Sequence, residues 1–385
     1  MHPVLQVANR EIGRLSKGKI YWFCMIIAPL ISLGFFISLM YEGLPTSLPI
    51  ALVDMDNTST SRNLARQLNA FEGTQIVAEY PDFEDARKAM QIGEIYGIFF
   101  IPSHFTKDAA TGKQPMLSFY TNNSFLIAGS LLFKDMKTVA TLSSGAVVLQ
   151  TGRAKGYTDS QIMAQVQPIT IDAKPMGNPW LNYSVYLNNI IIPGILALLI
   201  MCVTVYGIGI EIKEKTIDKW LSTGNHSILQ AITGKLIPQT IVFFITGLII
   251  YAVLYIFMQF PAHHLIHTIV NLFLLIIASQ ALGVFMIGCF PTLRLGLSFA
   301  CIWGMIAFSI SGFSFPVNAM YPSVQAISNL FPLRHYFLIY VDQALNGRDL
   351  IYSWPHYIAL LAFLVLPFLV LRNLKWSLKH IPYQP

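Results

Sequence analysis

Charge is what this sequence has least of. Only 11% of its 385 residues are Asp, Glu, Lys or Arg and 54% are hydrophobic, whereas soluble globular chains carry about 25% charged residues. With a mean hydropathy of +0.56, the shortage excludes an ordinary soluble domain and a disordered chain. Cysteine is scarce too: Cys24, Cys202, Cys289 and Cys301 all fall in apolar runs, and no Cys-x-x-Cys occurs. A disulfide-stapled scaffold, a zinc ribbon and a thiol redox site therefore have no basis. Gly-x-Ser-x-Gly and His-Glu-x-x-His are missing as well, which removes two hydrolase readings.

The few charges are placed with a bias. Residues 1–19 hold Arg10, Arg14, Lys17 and Lys19 against Glu11, and the stretch from Arg372 holds Lys375 and Lys379 with no acid. The hydrophilic stretch 41–186 has eleven basic and thirteen acidic residues. The net charge of +6 therefore sits beside apolar runs, where it reports orientation and anionic lipid and not nucleic acid.

Those runs predict a polytopic α-helical membrane protein with six transmembrane helices, at 20–40, 187–210, 237–258, 266–290, 295–313 and 356–371. The hydrocarbon core is ~30 Å thick and a helix rises about 1.5 Å per residue. Residues 3–19 read as a basic amphipathic helix on the inner membrane surface. The first run lacks the short core and small-residue cleavage site of a signal peptide, so it reads as a retained helix. Both termini are expected in the cytoplasm, with residues 1–19 and 372–385 forming its amphipathic helix and its tail.

Residues 41–186, between the first two helices, are expected to form an extracytoplasmic α/β domain. Strand-like pieces at 48–53, 74–77, 95–101 and 116–120 alternate with helical pieces at 59–71, 82–93 and 103–110. Asp82 with Asp85, and Ser103 with Thr106, stand where helix starts want short polar side chains. Helices at 125–150 and 160–165 and an extended 168–173 follow, and Trp180, Tyr183 and Tyr186 mark the return to the interface. Residues 314–355, interrupted by Pro316, Pro322 and Pro332, read as short helices dipping into the outer leaflet.

The second apolar run ends in a dense block of both charge signs. Lys213, Lys215, Lys219 and Lys235 stand against Glu211, Glu214 and Asp218, so residues 211–236 are expected on the cytoplasmic side. A solvated loop that only sets topology is the plain reading, and a handle for a soluble partner is the sharper one. Charge density does not separate them.

Three other motifs carry little. Gly13-Arg-Leu-Ser-Lys-Gly18-Lys19 has phosphate-loop spacing, but Ile20 replaces the Ser or Thr that holds magnesium and no strand precedes it. Asp54-Met-Asp56-Asn-Thr58 imitates the nucleophile loop of haloacid-dehalogenase-type phosphatases, although a helix-capping loop is the simpler reading. His263, His264 and His267 lack a nearby carboxylate and read as interfacial polar residues before metal ligands.

Three stretches together resemble the permease subunit of type-2 ABC exporters with a large domain between the first two membrane helices. One is Pro49-Ile-Ala-Leu-Val-Asp54-Met-Asp56-Asn57-Thr-Ser59, with Gly93 to Phe105 beyond it. Another is Glu211, Thr216 and Leu221 with Gly234-Lys235 and Pro238. The last is Ser311-Gly312-Phe313-Ser-Phe315-Pro316 with Met320, Pro322, Gln325, Phe331-Pro332 and Tyr336. Lys215, where the family commonly has Gly, and Thr223-Gly224, where it has Thr-Pro, depart from the pattern.

The resemblance implies a non-enzymatic subunit in a bacterial inner membrane. It carries no cofactor, because ATP and magnesium belong to a separate cytoplasmic ATPase. Its expected partners are that ATPase, a second copy or sister permease, membrane lipids, and a periplasmic adaptor with an outer-membrane channel. Glu211, Lys213, Glu214, Lys215, Thr216 and Trp220 become the ATPase-coupling residues. Gly312, Phe315, Pro316, Pro322 and Pro332 form the outer re-entrant motif, and Gly304 and Ser311 the dimer seam. Spans without internal charge other than Arg294 argue for an apolar or amphipathic cargo, drug or lipid. The competing reading is a membrane-anchored sensor or docking protein that works through its extracytoplasmic domain.

Overall fold

The computed structural model describes residues 2–380, apart from the Lys379 side chain. Two compact units are present, one made of the chain up to Gly43 and from Pro175 onward, the other of Leu44–Lys174.

The first unit begins with helix α1, Pro3–Lys17, opened by His2 as N-cap and by a proline in its first turn, where a missing N–H costs nothing. The first candidate span follows as α2, Lys19–Leu39.

The inserted unit then builds β1 (Leu48–Asp54), α3 (Ser59–Asn69), β2 (Thr74–Glu79), α4 (Phe83–Ile92), β3 (Gly97–Ile101), α5 (Phe105–Ala110), β4 (Ser118–Thr121), α6 (Leu126–Ala154) and α7 (Asp159–Val166). Its sheet runs in the order β2-β1-β3-β4. β1 is parallel to both neighbours, and β4 is antiparallel to β3. The two-residue period of β1 sends Ile50 and Leu52 into a core with Leu64, Leu68, Leu132 and Met136, and Ala51 and Val53 into another with Ala86 and Ala89. Helices therefore cover both faces, as the alternating pattern predicts.

Two of the expected capping pairs have different outcomes. Asp82 does cap α4, accepting the Asp85 N–H at 3.0 Å. Ser103 does not cap α5, which starts two residues later behind His104 in the left-handed region. Its Thr106 N–H is instead accepted by Asp56 Oδ2 at 3.2 Å, a carboxylate from the loop after β1.

The chain re-enters the first unit and forms α8 (Tyr183–Lys213), α9 (Ile217–Thr223), α10 (Ile228–Phe257), α11 (Leu265–Cys289), α12 (Leu293–Ile310), α13 (Pro322–Ser328), α14 (Pro332–Tyr340) and α15 (Leu350–Leu378). Among the described residues six helices, α2, α8, α10, α11, α12 and α15, are long and apolar enough to cross a membrane. α8 and α11 are the central pair: more than two thirds or nearly so of their apolar windows is buried inside the protein, against a third or less for the rest.

Span boundaries differ from the periodicity reading at the polar ends. The second helix continues through Glu211–Lys213, the third begins at Ile228 and not at 237, and the sixth starts at Leu350 and extends to Leu378. The connection expected over residues 211–236 therefore shrinks to 214–227, with α9 inside it. Hydropathy ended the spans at the first charges, but helical hydrogen bonding continues where those charges find partners.

Two prolines of the 314–355 region start helices instead of breaking one, while Pro355 lies inside α15. Pro322 and Pro332 occupy the first turns of α13 and α14. A polar belt holds α14 among the spans: Tyr251 and Tyr336 hydroxyls meet at 2.8 Å, Tyr340 donates to the Val185 carbonyl at 3.0 Å, and Asn271 donates to the Tyr336 carbonyl at 2.9 Å. With no water in a hydrocarbon core, such pairs satisfy groups that otherwise cost several kcal/mol each.

Candidate functional site

α1 packs across the polar ends of α8 and α10. Its spacing puts Val7, Glu11 and Leu15 on one stripe, and all three are buried. Close approach is possible because Gly234 stands opposite: a Cβ there would lie 2.6 Å from the Val4 carbonyl oxygen and 2.7 Å from Val7 Cβ.

Glu11, Glu211 and Lys235 meet at this crossing, each 0% exposed. Lys235 Nζ donates to Glu11 Oε2 at 2.7 Å and to Glu211 Oε1 at 2.8 Å. Arg10 grips Glu211 with both terminal nitrogens at 2.8 Å, and Arg14 donates to Glu211 at 2.5 Å and to Glu214 at 2.7 Å. The Thr216 hydroxyl also donates to Glu211. Gln239 donates to Glu11 Oε1 at 3.4 Å. Trp220, fully buried, lies with its ring 5.0 Å from Lys235 Nζ and donates its indole N–H to the Ala231 carbonyl at 3.2 Å.

Three cations and three carboxylates make the cluster formally neutral. Transferring one unpaired ion into such surroundings costs several kcal/mol, so the ions hold together the four elements that supply them. Those elements are α1, the end of α8, the α8–α9 connection and α10. A displacement of α9 therefore acts on Thr216 and Trp220, and through them on two spans and the surface helix at once.

The expected coupling residues divide into two groups. Glu211, Thr216 and Trp220 turn inward to the cluster. Lys213, Glu214 and Lys215 are exposed, with Asp218 and Lys219 beside them. Lys215 has φ +55°, the left-handed region that favours glycine, which gives a physical reason for glycine being common at this place in the family. The reading of charge-free spans is corrected here: Glu211 and Lys235 lie within α8 and α10 and are dry, stabilised by α1.

Sequence reasoning named Lys235 only within the stretch that carries the family resemblance, and missed Arg10, Glu11, Arg14 and Gln239 as site members. One signal was available, since Glu11 falls on the apolar stripe of α1 while Arg10 and Arg14 recur at the i, i+4 spacing of one face.

Gly13 to Lys19 spans the end of α1 and the start of α2, so no loop exists there to cradle phosphate. Asp54 has both oxygens engaged, Oδ1 accepting the Asp56 and Asn57 N–H groups at 3.0 Å and Oδ2 the Ser61 hydroxyl at 2.6 Å. It is a turn-forming residue, and the helix after it is capped by Thr58 and not by an Asp, Asn or Ser. His267 Nδ1 lies 2.9 Å from Gln343 Oε1.

In the re-entrant segment Gly312 adopts φ +101°, Pro316 precedes a single turn at Val317–Ala319, and Phe315 is exposed. Gly304 and Ser311 are buried inside the chain. A Cβ at Gly304 would run into the Leu198 side chain, so Gly304 is where α12 meets α8 and it does not face outward. The outward face of α12 carries Leu295, Ile302 and Met305.

Residues 19–371 match the family described as ABC-2 family transporter protein. A 119-residue segment is 29% identical to the linearmycin resistance permease protein LnrN of Bacillus subtilis (strain 168), covering 31% of this chain and 30% of that protein. The matched part thus spans less than a third of that relative's length. Six apolar helices, an α/β unit between the first two and a match across nearly the whole sequence agree: this chain belongs to the ABC-2 family of transporter proteins, as a membrane permease.

Proposed function

We propose that the chain is the permease subunit of an exporter driven by separate ATPase subunits. It moves an apolar or amphipathic compound, drug or lipid, out of the cytoplasm or inner membrane. The observation that carries this reading is the buried cluster of Glu11, Glu211 and Lys235. It ties the exposed connection of Lys213, Lys215, Asp218 and Lys219 to α1, α8 and α10. A nucleotide-dependent push on that connection reaches the spans without passing through a flexible loop.

Export is supported by the relative's name, which joins a permease to resistance. The basic residues of α1 and of the α8–α10 connection support a cytoplasmic assignment for those segments, and in this reading the Leu44–Lys174 unit is the extracytoplasmic part that receives an adaptor. Two permease copies, or this chain and a sister chain, form the pathway, and the outward face of α12 is the surface offered to the second.

The test is a pull-down of the tagged protein from mild detergent, wild type against Lys215→Glu/Lys219→Glu. These exposed charges are the right targets, because removing Glu211 would dismantle the cluster and confound docking with folding. An ATP-hydrolysing subunit recovered with the wild type and lost with the reversed charges is the expected result. Recovery of no ATPase with either form would defeat the exporter reading and favour the sensor.

A further inference from the structure

The second edge of α1 is as informative as its buried stripe. Leu5 and Ile12 are 52% and 53% exposed, an unusual placement on a helix whose Val7, Ala8 and Leu15 are buried. Beneath them, Ile237 and Ile241 of α10 and Trp22 and Ile26 of α2 complete a groove of about 440 Å³, within the range of small-molecule sites. Its lining is mostly apolar, with Asn9, Ser16, the Tyr21 hydroxyl and the Trp22 indole N–H as polar groups.

One end of this groove is basic. Ser16 and Trp22 of the lining meet, the indole N–H donating to the Ser16 carbonyl at 3.1 Å, and Lys17 and Lys19, in the short stretch of chain between them, are exposed. Neither lysine forms an ion pair among the described residues, while the neighbouring Arg10, Arg14 and Glu11 are committed to the cluster. An apolar trough ending in two uncommitted ammonium groups and an interfacial tryptophan has the polarity of an anionic amphiphile.

We propose that this groove is a binding site for an anionic glycerophospholipid, one acyl chain lying between α1 and α10 and the headgroup phosphate meeting Lys17 and Lys19. The site stands apart from cargo and direction of transport. It also has a mechanical consequence: a chain under Leu5 and Ile12 adds apolar burial to the helix whose opposite face closes the ion cluster. The lipid therefore holds α1 seated on the bundle.

The experiment uses the full purified chain and two diazirine-bearing probes with identical acyl chains, phosphatidylglycerol and phosphatidylcholine. Cross-linked peptides are located by mass spectrometry. Phosphatidylglycerol is expected to label the segments containing Leu5–Ile12 and Ile237–Ile241 roughly twentyfold more than phosphatidylcholine, the product of the two lysines' contributions. Removing the lysines in Lys17→Gln/Lys19→Gln should erase the preference, about fivefold for each, the equivalent of ~1 kcal/mol per basic residue near an anionic surface. Ile12→Trp and Ile241→Trp, both at exposed wall positions that tolerate a larger side chain, should each block labelling from opposite sides. Equal labelling by the two lipids in the wild type would reduce the groove to ordinary boundary lipid. Phosphatidylglycerol labelling that neither tryptophan diminishes would place the lipid elsewhere.

Discussion

Lys235 is the residue on which the cluster depends most. It is the cation shared by two buried carboxylates, and Glu11 has no other charged partner among the described residues. Lys235→Met is expected to cost about 3–5 kcal/mol, the range for stranding a buried charge, read as a lowered melting temperature in detergent. Adding Glu11→Gln should return much of that loss, since a neutral amide no longer needs the ammonium. If the double variant melts below the single one, the pair is not the source of the stability. The same reasoning separates Lys215 from its neighbours: its backbone, not its charge, is the constrained feature. Lys215→Gly should leave stability nearly unchanged, relief of the left-handed strain offsetting the added freedom of the unfolded chain. Lys215→Val should lower it by roughly 1–2 kcal/mol, because a β-branched residue resists positive φ. None of this was legible beforehand, because a lysine near a run of charges looks the same in sequence whether it is solvated or dry.

Helices are placed by close approaches that small residues permit. Gly234→Val on α10 would drive a side chain into the Val4 carbonyl and Val7. Amide hydrogen exchange across Pro3–Lys17 is expected to accelerate strongly, while α11, the most buried of the candidate spans, keeps its protection. Unchanged exchange in α1 would mean that the helix is held by something other than this contact. α12 and α8 offer a second handle. Cys202 and Cys301 face each other with sulfurs 3.6 Å apart, so diamide should oxidise the two thiols to a disulfide and be reduced to the hydrazine itself. Proteolysis between the two positions followed by non-reducing analysis reads the cross-link, and two separable fragments would show that the helices do not stay together. The amphipathic pattern of residues 3–19 was plain from spacing. That its second neighbour is the protein, with only one edge left to lipid, was not, because spacing reports a stripe and not what covers it.

For the whole molecule, the unit Leu44–Lys174 has a four-stranded sheet with a core on each face, and expressed alone it is expected to melt cooperatively. Its acid sensitivity should depend on Asp56. Burial pushes that carboxyl up, but the hydrogen bonds from Thr106 and Thr58 outweigh it and hold the pKa below the ordinary 3.8. A depressed folded-state pKa stabilises above the unfolded value, near 3.9, and the contribution is lost as pH falls through the folded value. Asp56→Asn should accordingly flatten the decline in melting temperature below pH 4, and an unaltered slope would acquit Asp56. By itself the sequence determined the membrane class, the six apolar helices, the α/β insertion and the charge bias at the span ends. Those properties are additive, each residue contributing through its own hydropathy, propensity or sign. Tertiary structure alone decided that Glu211 and Lys235 are dry, that Gly304 faces inward, and that α1 divides its two edges between a charge cluster and a groove. Those depend on which distant surfaces meet, where the cost of burying an ion and the reach of a few Å settle what one-dimensional order leaves open.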